Sequence, residues 1–100
     1  MIEFEIAPQE YEIKVNWYDA KLYCFTLTID GKTGWRLPTV EELKLFYAQE
    51  NDLKGWYWSA DEYDDDRACD AIFLTVLTAE YSPENKYYDG NIVRPVRYLL

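Results

Sequence analysis

Residues Gly34–Leu43 read GWRLPTVEEL, and this stretch marks where the chain turns from a connection into a helix. Thr39-Val40-Glu41-Glu42 is a capping box: the Thr hydroxyl accepts from the third amide, and the third-residue carboxylate reaches back to the cap amide. Pro38 biases Leu37 towards an extended shape. Arg36-Leu37-Pro38 is therefore expected to be a straight lead-in, with a hard helix start at Thr39. Leu43, Phe46 and Tyr47 then fall on one face of that helix, the side expected to point inward.

Upstream, Phe4 and Ile6 with Ile2 alternate with Glu3 and Glu5, and Tyr11, Ile13 and Val15 alternate with Glu10, Glu12 and Lys14. Period two with the charges outward predicts two half-buried strands, and Ala7-Pro8-Gln9 between them suits a hairpin turn. Asn16 has the chemistry of a helix cap, with Asp19 three residues on. Trp17, Ala20, Cys24 and Leu27 share one helical face. Asp30 to Gly34 is turn chemistry and ends the helix.

Downstream of the second helix, Asn51 to Gly55 reads as a loop. Trp56-Tyr57-Trp58-Ser59 reads as a strand with one side in a core and the other exposed. Asp61 to Asp70 reads as an acidic loop, Ala71 to Ala79 as a strand, and Glu80 to Gly90 as a long polar loop with Tyr81, Tyr87 and Tyr88. Ile92 to Tyr98 closes the chain as a strand. Pro95 cannot donate to a ladder and belongs at an edge or a break. This order predicts one α+β domain over residues 1–100, with two helices packed on a mainly antiparallel, twisted sheet with long loops. The first and last strands are placed to pair.

Composition narrows the function. The chain has 100 residues, half of them apolar, with ten Tyr, four Trp and four Phe, and a net charge of −9. Lys and Arg are scattered, so direct nucleic-acid binding and an anionic membrane surface, which need clustered cations, are not expected. There is no His, which removes the commonest general base and zinc ligand. The N-terminus lacks the pattern of a signal peptide. No apolar run approaches the roughly 20 residues of a membrane helix. The two cysteines, Cys24 and Cys69, read as small core residues rather than a disulfide scaffold.

Four phrases stand in fixed order: WYDAKLYC at Trp17–Cys24, GWRLPTVEEL at Gly34–Leu43, YWSADEY at Tyr57–Tyr63 and VRPVR at Val93–Arg97. Together they resemble the DUF1566 family, also called the Lcl C-terminal domain, over roughly residues 15 to 98. The resemblance implies a variant of the C-type-lectin-like fold, of a kind found in bacterial surface and secreted proteins and in phage proteins. It also implies binding or adhesion, since catalysis is not established for most members. Under it Trp35 fills the core between helix and sheet, and Arg36 makes half-buried hydrogen bonds to a carboxylate or to loop carbonyls, work suited to its five fixed donors. Trp17, Pro38, Thr39, Trp58, Arg94 and Arg97 are likewise expected to be scaffold. The chain departs from the family at Ser59-Ala60-Asp61, where members commonly carry SST. It also has fewer cysteines than secreted members and no signal, so a cytoplasmic or virion-associated protein is expected.

The candidate ligand-binding residues lie on the two late loops: Tyr57, Asp61, Tyr63, Asp64, Asp65, Asp66, Tyr81, Tyr87 and Tyr88. Tyrosine-rich loops carrying Ser and Asn have the chemistry of a contact surface. Asp61, Glu62, Asp64, Asp65, Asp66 and Asp70 offer oxygen ligands for calcium, but Asp64-Asp65-Asp66 lacks the alternating spacing of an EF-hand loop. Ser82-Pro83-Glu84-Asn85 has the letters of a sugar-binding triplet in another order. No metal, cofactor or catalytic residue is therefore expected. The sequence points to a non-enzymatic binding module for a protein or glycan ligand. The alternative is a small acidic, phage-type inhibitor that occupies a basic nucleic-acid-binding surface.

Overall fold

The Trp56-Tyr57-Trp58 run becomes the spine of a sheet that is covered on both faces. The structure is a computed structural model that describes residues 4–50, 52–75 and 78–99. Strand β3 (Trp56–Glu62) pairs antiparallel with β4 (Arg67–Thr75), which pairs antiparallel with β5 (Thr78–Asn85). On the other side of β3 lies β6 (Ile92–Val93), parallel to it, and beyond that β2 (Ile13–Lys14), antiparallel to β6. A second ladder joins β1 (Phe4–Ile6) to β7 (Val96–Tyr98). With helices α1 (Trp17–Thr26) and α2 (Val40–Glu50), the architecture is α+β on a mixed, largely antiparallel sheet.

The first and last strands pair as the sequence suggests, with Phe4 opposite Tyr98. The expected N-terminal hairpin does not form. Gln9–Tyr11 winds into a short 3-10 helix, and β1 and β2 go to different sheets. Pro8 and the 3-10 turn redirect the chain, so the alternating residues on either side find separate partners. The expected single strand from Ala71 to Ala79 is instead the end of β4 and the start of β5, with Thr75 opposite Thr78. The long polar loop from Glu80 is largely β5 itself. No Gly, Pro, Asn or Asp punctuates this reversal, so turn chemistry gave no signal there. Pro83, Glu80 and Glu84 suit an edge strand, since a missing donor and charged side chains discourage further pairing. Ile2, Glu3, Asn51, Val76 and Leu77 lie outside the described residues.

Trp58 and Tyr57 are both fully buried, although neighbours on a strand point to opposite faces. Trp58 packs with Trp17, Ala20, Cys24, Trp35 and Leu37 in one cluster. Tyr57 packs with Leu43, Phe46, Leu53, Ala71 and Phe73 in the other. Each face of β3 therefore meets a core, α1 and the GWRLPT segment on one side and α2 on the other. The expectation of an exposed side is corrected accordingly. Buried indoles need acceptors for their N–H groups. Trp17 donates to the Ser59 carbonyl (2.9 Å), Trp58 to Val15 (2.9 Å) and Trp35 to Lys32 (3.0 Å).

The helix starts form as the sequence predicts. The Asn16 side chain accepts from the Asp19 amide at 2.9 Å. The Thr39 hydroxyl accepts from the Glu42 amide (3.1 Å), and Glu42 Oε1 accepts from the Thr39 amide (2.9 Å). Between the helices, Ile29 and Lys32 exchange two backbone bonds across Asp30 and Gly31, whose φ values of 51° and 79° are the left-handed pair of a tight hairpin turn.

Arg36 ties these pieces together. Its guanidinium grips Glu42 with two bonds of 2.7 Å, and its backbone exchanges bonds with Val96. The Tyr98 ring lies 4.0 Å from the guanidinium carbon. Pro95 falls at the break between β6 and β7, and Arg94 beside it is buried. Arg94 donates to the Ala7 carbonyl (2.7 Å) and to Glu12 (3.0 Å), with Asp52 beyond at 3.3 Å. Arg97 donates to Glu5 (2.8 Å) and to the Thr33 carbonyl (3.0 Å). A charge-assisted bond of the Arg36–Glu42 kind contributes ~1.5–3 kcal/mol. Arg36→Ala should therefore lower the melting temperature by about 10 °C. A thermal melt followed by circular dichroism checks this, and an unchanged midpoint overturns it.

Candidate functional site

Helix α1 is apolar on two faces. Trp17, Ala20 and Cys24 point into the core, where burial pushes the Cys24 thiol up to about 12. Tyr18, Leu22 and Phe25 recur at spacings of four and three on another face, and all three are exposed. Asp19 and Thr26 make up the polar side of the helix, and an apolar face in addition to the core stripe ordinarily has a cover of its own. Here one flank borders an open groove of about 610 Å³, within the size range of ligand clefts. Trp17, Trp35 and Leu37 are its buried lining. Phe25, Tyr98 and Leu22 stand around it, 80%, 60% and 59% exposed.

Few polar groups reach this groove, and most are already committed. Arg36 is held by Glu42, whose hydrogen bond raises the guanidinium pKa further. Arg36 Nε is buried without a partner among the described residues. Glu62 accepts from Lys86 Nζ at 2.8 Å, and that bond holds its carboxyl below the usual range. The Lys86 ammonium also donates to the Asp65 carbonyl (2.9 Å) and lies 4.7 Å from the centre of the Trp17 ring. Lys21 reaches the same ring at 4.5 Å and, among the described residues, forms no ion pair.

The nine residues singled out in the sequence do not form one site. Tyr57 is a core residue rather than a loop residue. Its hydroxyl donates to Glu12 (2.7 Å) and accepts from the Lys54 amide (3.1 Å), and burial raises its pKa. Asp61 lies within β3, because the acidic loop shrinks to a turn at residues 63–66. Its carboxylate accepts from the Val40 amide at 2.8 Å, serving the first turn of α2 from a distant strand. Tyr63, Asp64, Asp65 and Asp66 form the exposed β3–β4 turn. Asp64 closes it by accepting the Asp66 and Arg67 amides and pairing with the Arg67 guanidinium, which lies over the Tyr63 ring. Tyr81 lies on β5, edge-on to Phe73. Tyr87 packs on Tyr18 with ring centres 5.2 Å apart and so joins the outer side of α1. Tyr88 is exposed nearby.

Sequence reasoning missed Lys21, Leu22, Phe25 and Tyr98. The signal was present in WYDAKLYCF, where a second apolar stripe runs beside the core stripe at helical spacing. Asp70, expected in the acidic loop, is buried in β4 and accepts from Ser82 (2.5 Å) and Asn91 (2.8 Å). Among the described residues no group of three or more His, Cys, Asp or Glu side chains is arranged to hold a metal ion. No helix among them is long and apolar enough to cross a membrane. Comparison with models of known families and with curated proteins finds no match to this chain.

Two outcomes follow from the carboxylates. Asp61→Ala should remove an acceptor from the start of α2 and cost ~1 kcal/mol, while Asp61→Asn stays near wild type. Urea unfolding of both variants checks this, and equal midpoints for the two overturn it. Burial raises the Asp70 pKa above its unfolded value. The resulting stabilisation is complete below the unfolded value of about 3.9 and is lost as pH rises through the folded value. Asp70→Asn should therefore melt above wild type at neutral pH, with the difference shrinking in acid. A lower midpoint at neutral pH would mean that the hydrogen bonds to the charged form outweigh its burial.

Proposed function

We propose that the chain is a non-enzymatic binding module of the DUF1566, C-type-lectin-like kind, of bacterial or phage origin. A protein or glycan ligand meets the groove beside α1 and the Tyr18–Tyr87 pair next to it. One observation carries the reading. The phrases that made the resemblance converge on this groove: Trp17, Lys21 and Leu22 from the first, Trp35, Arg36, Leu37 and Thr39 from the second, Ala60 and Glu62 from the third. The fourth phrase leads directly into Tyr98. GWRLPT thus packs the core with one side and borders a ligand-sized cleft with the other. Exposed aromatic and aliphatic side chains gathered around one cleft mark an interaction surface.

The acidic-inhibitor reading is the second. It is favoured by the net charge of −9 and by the exposed Asp65 and Asp66 at the β3–β4 turn. The two readings separate by salt and by one side chain. In a pull-down from bacterial lysate at about 50 and about 300 mM salt, with calcium and chelator arms, a groove-bound partner survives the higher salt. It is lost with Phe25→Ser, a change at an exposed position that leaves the fold intact. A partner retained by Phe25→Ser overturns the groove reading. A basic partner captured only at low salt favours the inhibitor.

A further inference from the structure

Resting on the groove reading, we infer that the occupant is a peptide segment of a partner protein that brings bulky apolar side chains together with a carboxylate for Lys21. The polar groups at the groove left without a hydrogen-bonded partner among the described residues are both donors, the Lys21 ammonium and the buried Arg36 Nε. The Lys21 ammonium forms no ion pair among the described residues; it lies over the Trp17 ring and acts on the Glu62 carboxylate only through space. The Thr39 hydroxyl accepts from the Glu42 amide and stands within hydrogen-bonding reach of the Glu42 carboxylate, so it is committed to the start of α2. The one carboxylate at the groove, Glu62, is already held by Lys86. Local charge is thus positive and local hydrogen-bonding capacity is donor-type, on a chain whose total is −9.

The complement of that surface is an apolar body carrying an acceptor with negative charge. A protein segment fits better than a small molecule, because Leu22, Phe25 and Tyr98 stand at the edge and remain wet unless the occupant covers them. The Tyr18–Tyr87 pair continues the same side of α1 beyond the groove, which lengthens the contact. The whole-chain charge pulls the other way and attracts basic partners at long range. At about 150 mM salt the screening length is about 8 Å, so the contact at Lys21 decides.

The test uses three fluorescein-labelled peptides of about 12 residues, long enough to present anchors at i, i+3, i+4 and i+7. They share one Leu and Phe stripe and differ only in carrying Glu, Gln or Lys at two flanking positions. Fluorescence anisotropy is read on the full chain at about 150 mM salt. The Glu peptide should bind about five- to tenfold tighter than the Gln peptide, with the Lys peptide weakest. Lys21→Gln should erase the Glu preference and leave the Gln peptide unchanged. Phe25→Ser should weaken all three. Equal affinity for Glu and Gln, or preference for Lys, overturns the inference; if Phe25→Ser still weakens binding, the groove reading stands without it. No saturable binding of the Glu peptide up to about 1 mM overturns the inference as well. A dimer in sedimentation that Phe25→Ser dissociates assigns the face to a second copy and also overturns it.

Discussion

The structure depends on burying Tyr57 and Trp58 at the same time. Adjacent strand residues face opposite ways, so this pair can be buried only if both faces of β3 are covered. The requirement calls for two separate layers in a small chain. One face receives α1 and the segment leading to Pro38, and the other receives α2. The two helices are consecutive in sequence, and the link between them must cross from one side of the sheet to the other. That link contains GWRLPT. Its Trp35 belongs to the Trp58 core, while its Thr39 starts the helix that covers Tyr57.

Charged groups hold this arrangement by tying together segments that are distant in sequence. Arg36, Arg94 and Arg97 each bond a carboxylate and a backbone carbonyl. Arg36 locks the start of α2 to β7. Arg94 spans the turn after β1, the residue before β2 and the loop after α2. Lys86 fastens the end of β5 to the β3–β4 turn and to the Trp17 ring. A buried cation left unpaired is costly, and these positions meet the condition with ready partners. Asp70 is the exception: burial disfavours its charge, and the neutral donors Ser82 and Asn91 offset that only in part.

The groove is a by-product of the same packing. Helix α1 commits Trp17, Ala20 and Cys24 inward, and further apolar side chains stand on a flank that no described residue covers. Leu22 and Phe25 add little to the packed core, yet they stand beside Tyr98 from the other end of the sequence. The pairing of β1 with β7 brings that end here, since it draws the C-terminal strand along the GWRLPT backbone through the Arg36–Val96 bridge. A cleft framed by residues from four segments is held by long-range contacts, so its shape depends on the whole domain.

The local features were legible in the sequence because local chemistry determines them. The Asn16 cap, the Thr39–Glu42 box, the left-handed turn at Asp30-Gly31 and the break at Pro95 each follow from residues within a few positions. The alternation of Phe4 and Ile6 and the run to Tyr98 also marked the first and last strands, whose pairing was an expectation that the structure bears out. Tertiary structure decided the rest. It sent β1 and β2 to different sheets, because a 3-10 turn redirected the chain between them. It made β5 from polar residues that read as a loop, because β4 supplied a ladder that intrinsic propensity does not report. It took Tyr57 and Asp61 out of the candidate surface, one into a core and one to the end of a helix from another segment. It also put Lys21, Leu22, Phe25 and Tyr98 around one groove. Periodicity can show that α1 has a second apolar stripe, but only the packing of distant segments shows that the described residues leave this stripe uncovered.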